Sequence, residues 1–338
     1  MKSLWNRRTF LKSLGTVPIA GPALSLSSRA ESALPSWGSS PKSRVVVAQR
    51  QGILKPDNTL EPKLLNQLLD MSLCALGDRK VPGEVWRSLF SATDTVGIKI
   101  NGLGGRMLSP HPELVYAIAD RLAEAGVPRN RIFIWERSER ELKAAGFDAA
   151  GSQGRAVILA TDSRGVGYES QPEMSGTIGS CFSRIVSQAC TALINVGVLK
   201  DHDLSGVSIG MKNLFGLIHN PNRYHFDVYK DPYLPDLCLH RYVKDKLRLT
   251  ICDGFRGQYD GGPAFKPEKT WEFGRLLIST DVVAIDAVGA RILEKKRQEN
   301  GLKSFKQAGR EPLYLQLAEE KRIGWADAAR IEVKEVTV

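Results

Sequence analysis

Residues 95–135 read TVGIKI, then NGLGGRMLSP, then HPELVYAIADRLAEAGVPRN, then RIFIW, and this stretch decides the fold. The first and last pieces are short, continuously apolar and rich in β-branched or aromatic residues, the composition of a buried strand. Between them, residues 111–126 place Leu114, Ile118 and Leu122 four apart, on one face of a helix. Two strands that are apolar throughout and joined by a helix read as a parallel pair covered on both sides.

The same alternation continues outward. Strand-like runs at 45–48, 156–160, 192–198, 247–252 and 275–279 are separated by helical patterns at 64–76, 139–145, 235–244 and 282–295. The expected fold is α/β: a mainly parallel sheet with helices on both faces, Rossmann-like, with insertions. No internal repeat and no long linker interrupts residues 44–338, which are read as a single α/β domain. A further helix is expected over 205–218 (SGVSIGMKNLFGLI), with Ser205 as its N-cap and Ser208, Lys212 and Phe215 on one face.

The chain has 338 residues, 42% of them hydrophobic, enough for a sizeable core and too many for a disordered chain. Its formal net charge of +10 is not a nucleic-acid signal. Five basic residues and no acid fall within residues 1–30, and the rest of the excess is spread without a basic run or interleaved aromatics. No nucleic-acid partner is expected. No transmembrane segment is expected in the mature chain, because no apolar run approaches ~18–20 residues.

Residues 6–12, Asn-Arg-Arg-Thr-Phe-Leu-Lys, resemble the twin-arginine export signal. A weakly apolar stretch follows, and Ser28-Arg29-Ala30 puts small residues at the −3 and −1 positions of a cleavage site. Residues 1–30 are therefore read as the signal peptide and 31–43 as a linker. The resemblance implies the twin-arginine translocation machinery as a partner and a protein exported already folded, to the periplasm or another extracytoplasmic space. The five cysteines, Cys74, Cys181, Cys190, Cys238 and Cys252, form no C-x-x-C pair. That spacing argues against an iron–sulfur cluster and a zinc ribbon.

Ionisable and amide residues gather where strands should end. Lys99, Asn101 and the turn Gly102-Leu103-Gly104-Gly105 follow the first strand, Glu136-Arg137 the second, Lys200-Asp201-His202-Asp203 a third and Asp253-Gly254 a fourth. In open α/β sheets, ligands bind beyond the carboxyl ends of strands. The glycine turn reads as a generic anion-binding turn; it lacks the third glycine of a dinucleotide fingerprint and the Gly-Lys-Ser/Thr of a Walker loop. His202 between two aspartates suits a general base, or a metal ligand together with Asp201 and Asp203. Lys212 and Asn213 suit ligand contact. His225-Phe226-Asp227 matches half of a facial triad. Asp286, in an apolar run, needs a hydrogen-bonding partner and reads as a cap on a neighbouring loop or as a catalytic carboxylate; Asp281 reads as a helix-start residue.

These residues also carry a family resemblance. Leu193-Ile194-Asn195 through Lys200-x-His202, and then Met211-Lys212-Asn213-Leu214-x-Gly216, resemble the signature of the domain of unknown function 362 family. Lys99-x-Asn101, His111-Pro112, Ala125-Gly126-Val127, Asp253-Gly254, Gly261-Gly262-Pro263 and Asp281-x-x-Ala284-x-Asp286 support it. Some members carry ferredoxin-type cysteine clusters, which this chain lacks. The resemblance supports the choice of site residues and supplies no reaction.

The expectation is an exported enzyme that acts on, or binds, a small anionic ligand, with a divalent metal as a candidate cofactor. His202, Lys212 and Asp253 are the candidate catalytic residues; Lys99, Asn101, Lys200 and Asn213 are the candidate substrate contacts. Two other readings stay open: a non-catalytic metal- or cofactor-binding or maturation factor, and a cysteine-based redox protein.

Overall fold

The apolar runs become eleven strands among residues 40–338, the part of the chain that the computed structural model describes. They are β1 (Ser43–Gln49), β2 (Val96–Ile100), β3 (Ile132–Glu136), β4 (Val157–Ala160), β5 (Glu173–Ser175), β6 (Ile178–Ser180), β7 (Ala192–His202), β8 (Gly206–Val207), β9 (Leu247–Gln258), β10 (Thr270–Ser279) and β11 (Ile331–Thr337). The export signal expected at 1–30 and most of the linker at 31–43 lie outside the described residues. One mixed sheet runs β11-β1-β10-β9-β7-β2-β3-β4, with β8 paired to β7; β5 and β6 form a separate hairpin. From β9 to β4 every neighbour is parallel. β10 runs antiparallel to both β9 and β1.

Alternation along each strand sends side chains into two cores. Val46, Ala48, Ile98, Ile194, Ile251 and Ile278 face the helices Pro62–Gly77 and Pro112–Glu124. Val45, Val47, Trp135, Leu193, Cys252 and Leu277 face the helix Val282–Glu299 and the segment around Gly210–Asn213. The α/β fold with helices on both faces is thus the one that the apolar runs imply.

Strand order places the site. From β2 the chain walks outward through β3 to β4, then returns to lay β7 against the other edge of β2 and continues to β9. The connections leaving β2 and β7 therefore diverge, and their carboxyl ends open a crevice of the kind that such sheets use for ligands.

Two expectations about this crevice change. No helix starts at Ser205. β7 runs on to His202, turns, and comes back as β8 with Asp201 opposite Val207 and His202 opposite Gly206. Ser205 Oγ donates to the Val207 carbonyl rather than capping a helix. Gly206 sits at φ +77°, and Val207 and Ile209 favour extended backbone, so the segment stays a hairpin until Gly210. Only Gly210–Asn213 is α-helical, followed by a 3-10 turn at Leu214–Leu217. Likewise β9 extends to Gln258, well past the expected end at Cys252. The expected helix over 235–244 splits at His240, whose ring accepts from the Tyr242 N–H to start a new turn.

Candidate active site at the β2–β7 crevice

At the end of β2, Lys99 is 1% exposed and points to the Gly210–Asn213 side of the sheet. Its amine donates to the Ile100 carbonyl, to Glu136 Oε1 at 2.8 Å and to Asn213 Oδ1 at 3.1 Å. All three of its donors are engaged. Burial draws Lys99 below the ordinary lysine value, with the Glu136 carboxylate working against that shift. Glu136, at the end of β3, also accepts from the backbone N–H groups of Gly102 and Arg137. Bonds within the protein engage three of the four N–H groups that an anion-binding turn at residues 102–105 would offer. The N–H of Gly102 is taken by Glu136, that of Leu103 by Asn101 Oδ1, and that of Gly105 by the Gly102 carbonyl.

Asn213 is held by its neighbours rather than free for ligand. Its Nδ2 donates to Asn195 Oδ1 at 2.7 Å, and Asn195 in turn donates to the Gly210 carbonyl at 2.8 Å. From the other side Asp286 accepts from the Gly210 and Met211 N–H groups at 2.6 and 3.0 Å. The cap expected of Asp286 is therefore real, and it fastens the short helix that carries Lys212. Complete burial pushes the Asp286 carboxyl up to about 7 against those two donors. Asp281 starts the Val282–Glu299 helix as expected, accepting from Val283 and Ala284.

Lys212 and two histidines form the centre. Lys212 Nζ lies 2.6 Å from His225 Nε2, while His225 Nδ1 faces the Pro221 carbonyl at 2.8 Å. A carbonyl can only accept, so His225 carries its proton on Nδ1 and Lys212 donates to Nε2. Burial, together with the neighbouring Lys200 charge, draws Lys212 down to about 7. Among the described residues no carboxylate pairs with it. Burial, helped by Lys212, takes His225 down to about 4. His202 is 4% exposed, and burial with the surrounding cations takes it down to about 2, so its ring is neutral. The Leu204 N–H donates to His202 Nδ1 at 3.0 Å, which leaves the proton on Nε2. Asp203 also comes within 3.0 Å of Nδ1, but it is 63% exposed and solvated, and the backbone donor sets the tautomer.

These groups line a cleft of about 370 Å³ together with Asn101, Arg137, Glu141, Ser208, Phe215, Pro221, Asn222 and Pro263. Arg137 and Glu141 approach to 3.8 Å at its wall. Burial, with Glu136 nearby, raises the Glu141 carboxyl.

Three candidates sit elsewhere. Asp201 and His202 are successive strand residues and point to opposite faces. Asp201 accepts from the Gly262 N–H and pairs with Arg310 at 2.8 Å, so it does not flank the His202 ring. Asp253 accepts from the His111 backbone and ring, both near 2.8 Å, and is not in the cleft. Burial opposes charge on His111, yet Asp253 outweighs it and raises the ring above its ordinary value. Lys200 is wholly buried behind Asn101, to which it donates at 3.1 Å, and burial draws it to about 8. The half facial triad is not assembled either, since Asp227 pairs with Lys230.

The lone pairs that a metal would need are engaged within the protein. The free lone pair of His202 takes the Leu204 N–H, that of His225 takes Lys212, and Asp201 belongs to Arg310. Among the described residues no three His, Cys, Asp or Glu side chains converge as a metal set. The five cysteines are free. Burial pushes the Cys190 thiol up to about 12 and raises Cys238 and Cys252 as well, the opposite of a reactive thiolate.

Glu136 and His225 line the cleft without having been named among the candidate catalytic or substrate residues, and Arg310 supports the hairpin behind it. Glu136 was visible as a polar strand end; Arg310 had no signal at all.

No curated protein matches the chain. A crystal structure of a protein from Thermotoga maritima, a target of the Northeast Structural Genomics Consortium, is similar at 10% identity and a TM-score of 0.40. The similarity covers 70% of this chain and 59% of that one, so the chain spans less than two thirds of that protein's length. A family model matches residues 96–291, the span that holds β2, β7, β9, Lys212 and Asp286, and the chain accordingly belongs to the family described as "Domain of unknown function (DUF362)".

Proposed function

We propose that this is an exported enzyme whose cleft binds an oxyanion, carboxylate or phosphate, with Lys212 as its general base. One observation carries the reading: a buried amine, close to neutral pH in its titration, donates to a histidine and forms no ion pair with a carboxylate among the described residues, the exposed Asp203 acting on it only from a distance. A lysine so placed lacks a counter-ion of its own, and a bound anion supplies one.

The surrounding groups take complementary roles. His202 offers Nε2–H to the anion, and Ser208, Asn222 and Arg137 line the same space. Lys99 and Glu136 neutralise each other and form a fixed wall, with Asn213 holding Lys99 in register. In the neutral form, Lys212 removes a proton from a C–H or O–H beside the bound oxyanion, and the ammonium that forms is stabilised by that oxyanion. His225, locked as the Nδ1–H tautomer, aims the lysine lone pair and does not compete for the proton.

Titration calorimetry with inorganic phosphate and with acetate tests this. Binding should weaken as pH rises through about 7, where Lys212 loses its charge, and should be lost in Lys212→Met. Binding of both anions that is indifferent to pH and to this substitution would overturn the proposal. Elemental analysis of the same preparation tests for a divalent cation.

A further inference from the structure

Resting on that reading, we propose that the anion is the head of an amphipathic organic molecule, an aryl or alkyl phosphate or carboxylate whose apolar part lies on the rim of the cleft. A cleft of about 370 Å³ is far larger than one oxyanion and falls in the range used for ligands with a sizeable apolar body. Apolar side chains line it beside the polar ones: Phe215 packs against the His225 ring and under the Lys212 amine, and Pro221 and Pro263 add to the wall.

The mouth extends the apolar lining outward. Eight large hydrophobic residues are exposed among those described; two of them, Leu103 and Leu204, line this cleft, and a third, Phe226, is the chain neighbour of its His225. Leu103 follows the end of β2, Leu204 is the tip of the β7–β8 turn, and Phe226, 80% exposed, immediately follows His225. Single exposed hydrophobics need no explanation, but convergence of three loops on one opening does. Each loop also carries a polar residue of the site: Asn101, His202 and His225. The loops that hold the head group therefore offer an apolar surface one or two residues further on. An apolar group seated there would leave water as the head enters the cleft.

The test compares inorganic phosphate with phenyl phosphate on the whole protein and on Leu103→Ser/Leu204→Ser/Phe226→Ser. All three side chains are exposed, so the variant should fold, and its thermal unfolding checks this. Phenyl phosphate should bind the native protein about tenfold more tightly than phosphate, and the variant should bring that ratio towards one. Equal affinities in the native protein, or a ratio that survives in the variant, would overturn the apolar extension while leaving the anion site standing. Failure of both probes to bind would overturn the anion site and this inference with it. Cosedimentation with anionic phospholipid vesicles that the variant loses, without any gap between the soluble probes, would assign the rim to a membrane and overturn it too.

Discussion

Lys212 Nζ stands 2.6 Å from His225 Nε2, and the Pro221 carbonyl behind the ring decides which of the two donates. The pair is a lysine held by a neutral acceptor in a place where a carboxylate would be the stabilising choice. Such an arrangement sacrifices stability for a group that can change its protonation near neutrality.

Lys212→Met should therefore stabilise the protein while abolishing anion binding. The folded-state pKa is lowered to about 7 from 10.5, so the unfolded chain binds more protons between those values. Wild-type stability rises with pH across that window, and the burial penalty is fully present below it. The variant should gain about 1–2 kcal/mol near pH 7 and lose that rise. Urea denaturation at several pH values checks both; a variant less stable than wild type near pH 7 would contradict the account of Lys212.

His225→Gln concerns the acid limb. The ring falls to about 4 from 6.5, so its neutral form supports the fold above 6.5 and that support is lost as pH drops towards 4. Replacement by a side chain that does not titrate should flatten the loss of stability over that interval. His202, taken down to about 2, continues the same slope at lower pH and should remain in the variant. Stability curves for the two proteins that are parallel from 6.5 to 4 would refute this.

Gly216→Ala tests whether the 3-10 turn makes room for Lys99. A Cβ there would lie 2.6 Å from Lys99 Cε and 2.8 Å from Nζ. Lys99 cannot swing aside, because its amine holds three acceptors and its chain is buried. The expected loss is about 1–3 kcal/mol, with a displaced Lys99–Glu136 pair in a crystal structure of the variant. Unchanged stability would mean that the turn has slack.

The strands were legible because apolar runs at 95–100, 131–135 and 192–198 have no other use than a covered parallel sheet. The crevice was legible because Lys99 and Asn101 stand at the end of the first of those runs and Glu136 directly follows the second. What failed was anything that depended on where a strand stops. Read as a turn, Lys200-Asp201-His202-Asp203 puts the aspartates beside the imidazole; as strand, it sends Asp201 to the opposite face. The helix expected from Ser205 failed for the same reason, since pairing with β7 overrides local propensity. Asp253 was misplaced because adjacency to a strand end does not say which side of the sheet a carboxylate faces. His225 needs the Pro221 carbonyl and Lys212 together, and no spacing announces that.

Asp286→Asn should loosen the site without touching it. The carboxylate gives one oxygen each to the Gly210 and Met211 N–H groups. An amide has only one acceptor, and its NH₂ would face the second donor. The expected cost is about 1–3 kcal/mol, together with weaker anion binding through a displaced Lys212. Binding that stays at wild-type strength in a destabilised variant would show that the cap serves the fold alone.

Arg310 lies beyond the span that the family model matches, yet it clasps the hairpin that carries His202. Its guanidinium reaches Asp201 Oδ2 at 2.8 Å, the His202 carbonyl at 2.7 Å and Asp260 at 3.1 Å. Asp201 is wholly buried, and apart from the Gly262 N–H its compensation comes from Arg310, with Arg297 at 3.9 Å. Arg310→Leu leaves that carboxylate without its main partner, a change that typically costs about 3–5 kcal/mol. Asp201→Asn in the same background removes the stranded charge, so the double variant should be markedly more stable than the two single losses added together. A double-variant cycle in urea measures that coupling. Additive losses would mean that Arg310 acts through the His202 carbonyl and Asp260, and that the hairpin does not depend on the Asp201 pair.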